Sequence, residues 1–219
     1  MKRVMITLFV AVCLSMVIAV QLIASPAAGH AESSLKPEEA LKKLIQGNDD
    51  YVSEKANNAD ISKKRREETA TGGQHPYAIV VTCADSRVPA EFVFSAGVGD
   101  IFVVRTAGNV VGDIERASID YGIKHLGAKV VMIMGHTKCG AVGAAAAGYN
   151  EEYISSIMGI IKPVIANTTD ISEAEKLNVK NSFESVMKSA IVKEKVDKHE
   201  LLVIQSVYHI NDGKVEILN

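Results

Sequence analysis

The sequence has no tryptophan, three cysteines and five prolines in 219 residues, and aromatic residues make up only 5% of it. Three cysteines are too few for a disulfide-stapled scaffold, and five prolines with sixteen scattered glycines exclude a collagen-like or low-complexity chain. Neither sign of charge dominates. The 24 Lys and Arg stand against 26 Asp and Glu, which offers no basic stripe to nucleic acid or to an anionic lipid surface. Long apolar runs are absent beyond the N-terminus, so a polytopic membrane protein is excluded as well. What is present, 47% hydrophobic and 23% charged, is the balance of an ordinary globular chain with one real core.

The N-terminus departs from that balance. Lys2 and Arg3 precede an apolar run over 4–24, Ser25-Pro26 breaks it, and small residues lead to Gly29-His30-Ala31. This pattern predicts a secretory signal peptide over 1–31, cleaved after Ala31, and a single domain over 32–219 in the periplasm, cell envelope or medium. An uncleaved anchor is the alternative, disfavoured because Thr7, Ser15 and Gln21 weaken the run as a permanent span. Cleavage removes Cys13 and two basic residues, leaving 22 Lys and Arg against 26 Asp and Glu, with Cys83 and Cys139 as the remaining thiols. Two cysteines in an oxidising compartment ordinarily form one disulfide, so any other use must be argued from their neighbours.

Spacing predicts an amphipathic helix over 37–54, opened by Pro37, with Ala40, Leu41, Leu44 and Ile45 on one face. The polar stretch 55–74 reads as a solvated helix or loop. Four short β-branched runs, 77–82, 101–105, 129–134 and 201–208, lack strict alternation and read as strands buried on both faces, as in a parallel sheet. The segment 113–126 suits a crossover helix stopped by Gly127, and 139–148, 151–161 and 173–195 read as further helices. The last of these carries Val179, Phe183, Val186, Met187 and Ala190 on one face. Asn211-Asp212-Gly213 is a hairpin signal that adds an antiparallel edge strand over 214–218. The expected class is α/β, a central mostly parallel sheet flanked by helices.

Two clusters directly follow two of those strands: Cys83-Ala84-Asp85-Ser86-Arg87 after 77–82, and Gly135-His136-Thr137-Lys138-Cys139-Gly140 after 129–134. Open α/β sheets collect functional groups outside the carboxyl ends of their strands, so neighbouring strands would bring these side chains to one edge. Cys83, His136 and Cys139 form a Cys₂His set suited to catalytic zinc, with a fourth position kept for water. Zinc held by two thiolates and a neutral imidazole is formally neutral and polarises water weakly, so a nearby base helps. Asp85 can be that base, kept ionised and oriented by a bidentate pair with Arg87, or it can close the fourth position as a ligand. The spacing leaves both open. Simpler alternatives are a Cys83–Cys139 disulfide, a thiol-redox pair, and a surface ion pair at Asp85 and Arg87. His75, His125, His199 and His209 fall outside both clusters and read as surface or helix-end residues.

Together the two clusters resemble the zinc signature of the β-class carbonic anhydrases, in an exported bacterial form. The similarity extends through Val88-Pro89-Ala90-Glu91, Gly99-Asp100-Ile101-Phe102-Val103-Val104-Arg105-Thr106-Ala107-Gly108-Asn109 and Ser118-Ile119-Asp120-Tyr121-Gly122, and covers the chain from about Leu41 onward. The resemblance implies one Zn²⁺ per chain on Cys83, His136 and Cys139, with Asp85 as catalytic partner or displaceable fourth ligand and Arg87 as its ion-pair partner. It implies reversible hydration of carbon dioxide to bicarbonate and a proton by zinc-bound hydroxide, in a homodimer or homotetramer whose active site lies near the subunit interface. Neither nucleic acid nor, after cleavage, a membrane is an expected partner. Similar proteins hydrolyse carbon disulfide or carbonyl sulfide on the same zinc site, and a non-catalytic zinc-binding or bicarbonate-sensing module is the alternative from another class. One departure stands out. Some bacterial members carry an aromatic residue three positions before the first ligand cysteine as part of a bicarbonate pocket; Val80 occupies that place here, and only Arg105 matches the pocket. Val88 and Phe92 are expected to line a dry pocket, or in the case of Phe92 to pack in the core.

Overall fold

The computed structural model describes residues 33–55 and 59–218. The expected signal peptide, with Cys13, lies outside them. Eight helices punctuate the described chain: α1 (Pro37–Val52), α2 (Lys63–Gly72), the single turn α3 (Ala90–Val93), α4 (Asp113–Lys124), α5 (Gly140–Ala146), α6 (Ser155–Ile165), α7 (Ile171–Val186) and α8 (Ala190–Asp197). They surround a five-stranded sheet of β1 (Ala78–Cys83), β2 (Ile101–Thr106), β3 (Val130–His136), β4 (Leu202–Tyr208) and β5 (Val215–Leu218), in the order β2-β1-β3-β4-β5. The first four strands are parallel, and β5 runs antiparallel to β4.

Every residue of β1 and β3 is buried, which is why their sequences show no alternation. Ile79, Val81, Val131 and Ile133 face a core shared with Ile119 and Ile123 of α4 and Val179 and Val186 of α7. Ala78, Val80, Val130, Met132 and Met134 face a second core capped by Ala40 and Leu44 of α1. The chain steps from β1 outward to β2 and then returns across β1 to β3. That reversal of direction places a crevice at the carboxyl ends of β1 and β3, the position where open sheets carry their sites.

Two expectations are corrected. The span 173–195 is two helices, because Ser189 starts a new one: its Oγ accepts the N–H groups of Ile191 and Val192 and donates to Asp120 Oδ1 at 2.6 Å. Phe92 is 61% exposed on the single chain and lies outside the core, since α3 is one turn long and buries only Ala90 and Val93. The expected hairpin at Asn211-Asp212-Gly213 does join β4 to an antiparallel β5. Its link spans 209–214, closed by His209 N–H to Lys214 and Gly213 N–H to His209, both 2.8 Å.

The docking of α1 depends on close approach. Asn48, only 6% exposed, donates to the carbonyls of Val93 and Gly213 and accepts the Val215 N–H. At Gly47 the Phe94 carbonyl occupies the place a Cβ would take, whereas at Gly159 nothing lies within 4 Å. An alanine for a helical glycine ordinarily stabilises by about 1 kcal/mol. Overpacking at Gly47 reverses the sign and costs on the order of 1–3 kcal/mol. Thermal melts of Gly47→Ala should fall by several degrees, at roughly 2–4 °C per kcal/mol, while Gly159→Ala should not fall. A Gly47→Ala melt at or above the parent's would contradict this packing.

Candidate metal centre

The β1–β3 ladder pairs Thr82 with Met134, so Cys83 and His136, the last residues of their strands, stand at neighbouring strand ends. Beyond β3 the chain turns at Lys138, whose φ of +57° is left-handed, and brings Cys139 back at the start of α5. The turn is pinned from β4: Thr137 N–H donates to the Tyr208 carbonyl and Thr137 Oγ1 accepts the Ile210 N–H. The two sulfurs and a ring nitrogen of His136 consequently lie within 4.8 Å of one another, all three residues buried.

This donor set fits a metal ion. Both cysteines are free, so the disulfide reading fails. His136 Nδ1 lies 3.0 Å from the Thr137 carbonyl, which can only accept, so Nδ1 carries the proton and Nε2 presents a lone pair. His136 Nε2 is buried without a hydrogen-bond partner among the described residues. An orphaned nitrogen beside two thiols is costly unless something binds it, and zinc takes this combination of sulfur and nitrogen. Cys83 Sγ accepts the N–H groups of Asp85 at 3.4 Å and Gly108 at 3.2 Å. Cys139 beside it first, and then these two amides, hold Cys83 far below the ordinary thiol range despite its burial. Cys139 moves the opposite way, driven up by Cys83 beside it and by burial.

Asp85 stands at the rim of the donor set. Arg87 grips it through Nε to Oδ1 at 3.0 Å and Nη2 to Oδ2 at 2.7 Å, and the Arg87 N–H adds a third bond to Oδ1 at 2.9 Å. That grip keeps the carboxyl well below the usual carboxylate range against the opposing effect of burial. Oδ2 lies 3.8 Å from His136 Nε2. Arg87 Nη2 also donates to the Lys138 carbonyl at 3.2 Å, tying the two strand-end loops together. Arg105 reaches the Cys83 and Asp85 carbonyls from β2, at 3.2 and 2.8 Å, so its donors brace the ligand loop. Val80 is fully buried in the α1-side core.

Three residues of the centre were not singled out in the sequence for this role. Gly108, which appears there only within the family resemblance, donates to Cys83 Sγ from a left-handed backbone, and a Cβ on it would stand 2.8 Å from Ile161. Glu175, 4% exposed on α7, accepts the Cys139 N–H at 3.0 Å, and Asn178 Nδ2 holds the Gly108 carbonyl at 2.7 Å. The available signal was a polar row, Glu175, Asn178, Ser182 and Ser185, at helical spacing beside the apolar one. His75, His125, His199 and His209 stay outside the donor group, and His209 pairs with Glu216 at 3.0 Å.

The family model described as Carbonic anhydrase matches residues 78–215. A protein named carbonic anhydrase 2 from Mycobacterium tuberculosis is 31% identical over 189 residues, spanning 81% of this chain and 91% of its own length. A carbonic anhydrase of Mycolicibacterium smegmatis is 30% identical over 194 residues, spanning 83% of this chain and 93% of its own. Among solved structures, the β-carbonic anhydrase CafA of Aspergillus fumigatus superposes with a TM-score of 0.66 at 25% identity, covering 83% of this chain and 90% of that one. A tetrameric β-carbonic anhydrase of Sordaria macrospora shares the fold, with a TM-score of 0.66 at 24% identity, 83% of this chain and 98% of that one.

The purified protein should carry about one zinc per chain, and Cys139→Ser should lose it. A thiol reagent should find Cys83 and Cys139 closed until a chelator removes the metal. Open thiols in the metal-loaded protein would place the zinc elsewhere.

Proposed function

Because the chain belongs to the β class of the carbonic anhydrase family, we propose that Cys83, His136 and Cys139 hold its zinc and that Asp85 and Arg87 assist the reaction beside it. The enzyme interconverts carbon dioxide with bicarbonate and a proton. Zinc bound there lowers the pKa of water and supplies the nucleophile for the carbon of carbon dioxide. The observation that carries the reading is the arrangement of three buried donors with an ionised carboxylate, gripped by arginine, 3.8 Å from the free imidazole nitrogen.

Each residue's part follows from its contacts. Asp85 Oδ2 faces the donor set and accepts a hydrogen bond from incoming water. Its lowered pKa makes it an acceptor that orients water and passes a proton onward, and a poor store for that proton. Arg87 fixes the carboxylate by the fork and, through the Lys138 carbonyl, keeps the two loops in mutual register. Val110, Val142, Met158 and Ile161 pack around the two sulfurs and exclude water, which strengthens every charge interaction inside. The relatives above are named carbonic anhydrases, which supports carbon dioxide over carbon disulfide or carbonyl sulfide as substrate.

Stopped-flow hydration across pH 7 to 9 tests the reading. The zinc-loaded parent should catalyse, Asp85→Asn should lose about 10²-fold or more in kcat at unchanged zinc content, and Arg87→Lys should lose less, because lysine cannot reproduce the fork. A zinc-loaded parent without activity would sink the reading, and parental kcat in Asp85→Asn would remove Asp85 from it.

The chain is exported as a mature domain beginning near Glu32 and self-associates as a homodimer or homotetramer. Lys2-Arg3, the apolar run and Gly29-His30-Ala31 support the first statement. The tetrameric β-carbonic anhydrase of Sordaria macrospora that shares this fold supports the second. N-terminal sequencing of envelope-derived protein should read Glu32 first, and sedimentation should give two or four chains per particle. An intact Met1 or a monomer at micromolar concentration would overturn the respective statement.

A further inference from the structure

One face of α7 is polar yet buried. Glu175, Asn178, Ser182 and Ser185 follow at helical spacing with exposures of 4%, 0%, 1% and 9%. Burying such a row is costly unless its groups are used, and each side chain makes at least one hydrogen bond, with Asn178 Oδ1 left without a partner among the described residues. Asn178, Ser182 and Ser185 donate to the carbonyls of Gly108, Asn109 and Val111 at 2.7, 2.9 and 2.8 Å. Glu175 does something different. Its Oε1 takes the amide of Cys139, 3.0 Å away, at the start of α5.

That amide belongs to the peptide between Lys138 and Cys139, whose carbonyl is held by Arg87 Nη2 at 3.2 Å. One peptide plane is therefore gripped at both ends by opposite charges, a carboxylate on its N–H and a guanidinium on its C=O. The preceding residue, Lys138, is left-handed at φ +57°, a conformation a residue with a Cβ holds only when its surroundings impose it. The orientation of this plane sets the direction in which Cys139 projects its sulfur.

We propose that Glu175 is a positioning residue of the metal centre: with Arg87 it clamps the Lys138–Cys139 peptide and so aims the Cys139 sulfur at the ion. The inference rests on the zinc reading above. A carboxylate suits the task because it only accepts, and its bond to an N–H is stronger than that of a neutral oxygen. Glutamine keeps an accepting oxygen at the same reach and should largely rescue the function. Alanine removes it, and aspartate leaves it one carbon short.

The test uses the full mature chain and two readouts besides activity: the rate of zinc release to a colorimetric chelator, and the visible spectrum of the cobalt(II)-substituted protein. Loss of an outer-shell partner typically weakens a site by about 10–100-fold, so Glu175→Ala should release zinc about 10–100-fold faster and shift the thiolate-to-cobalt bands. Glu175→Gln should stay within about threefold of the parent with its spectrum retained. Asn48→Ala, which breaks buried hydrogen bonds at α1, is the control for general destabilisation and should leave both readouts unchanged. If Glu175→Ala does not fold, Glu175→Asp takes its place with the same expectation. Parental release and spectrum in the alanine or aspartate variant would overturn the proposal, as would release equally fast in Asn48→Ala. A parent that binds neither zinc nor cobalt would instead overturn the zinc reading.

Discussion

Parallel pairing of β1 with β3 is the constraint from which the site follows. The ladder sets Thr82 opposite Met134, and only this register leaves Cys83 and His136 as adjacent strand ends. A slip of one residue would turn Cys83 to the other face of the sheet. Parallel neighbours need a crossover and cover on both faces, and both are present: β2 and α4 make the crossover, while α1 lies on one face and α4 with α7 on the other. The packing that stabilises the sheet and the geometry that assembles the donors are thus the same set of contacts.

Charge balance at the strand ends depends on that proximity. Two sulfurs this close cannot both ionise without a cation, and the protein alone favours the negative charge on Cys83, which two backbone amides face, over Cys139. A divalent ion removes the conflict. The two arginines divide the surrounding work. Arg105 binds carbonyls on the β1 side only, whereas Arg87 spans from Asp85 to the Lys138 carbonyl and thereby couples the β1 and β3 loops.

Most of this was legible in the sequence. The four parallel strands show themselves by short unalternating runs, and β1 to β4 fall within two residues of the expected bounds; burial on both faces explains the pattern in β1 and β3, whereas β2 at the sheet edge and the first half of β4, read the same way, are only partly buried. The Cys83, His136, Cys139 triad was legible because strand ends and a three-residue turn fix where those side chains can go. The helix break at Met187–Ser189 was overlooked although Ser189 is a capping residue, because the apolar row runs on through it. Phe92 was misplaced because a one-turn helix gives periodicity too little length to work on. Glu175 was missed for a deeper reason. Periodicity arguments look for buried apolar rows, and a buried polar row is indistinguishable from a solvated one until its partners, 36 residues away in the case of Cys139, are brought alongside.

The exposure of the site's parts implies how it handles protons. The His136 side chain is fully buried, that of Asp85 is 16% exposed and that of Arg87 49%. The donors that must stay dry to hold a metal pack with Val142 and Ile161, while the Asp85–Arg87 pair proposed to assist the reaction reaches the solvent. In the proposed reaction Asp85 accepts a hydrogen bond from water at the donor set, and the grip of Arg87 keeps that carboxylate ionised while the proton passes to the solvent. The buried donors and the solvent are thus separated by a single ion pair.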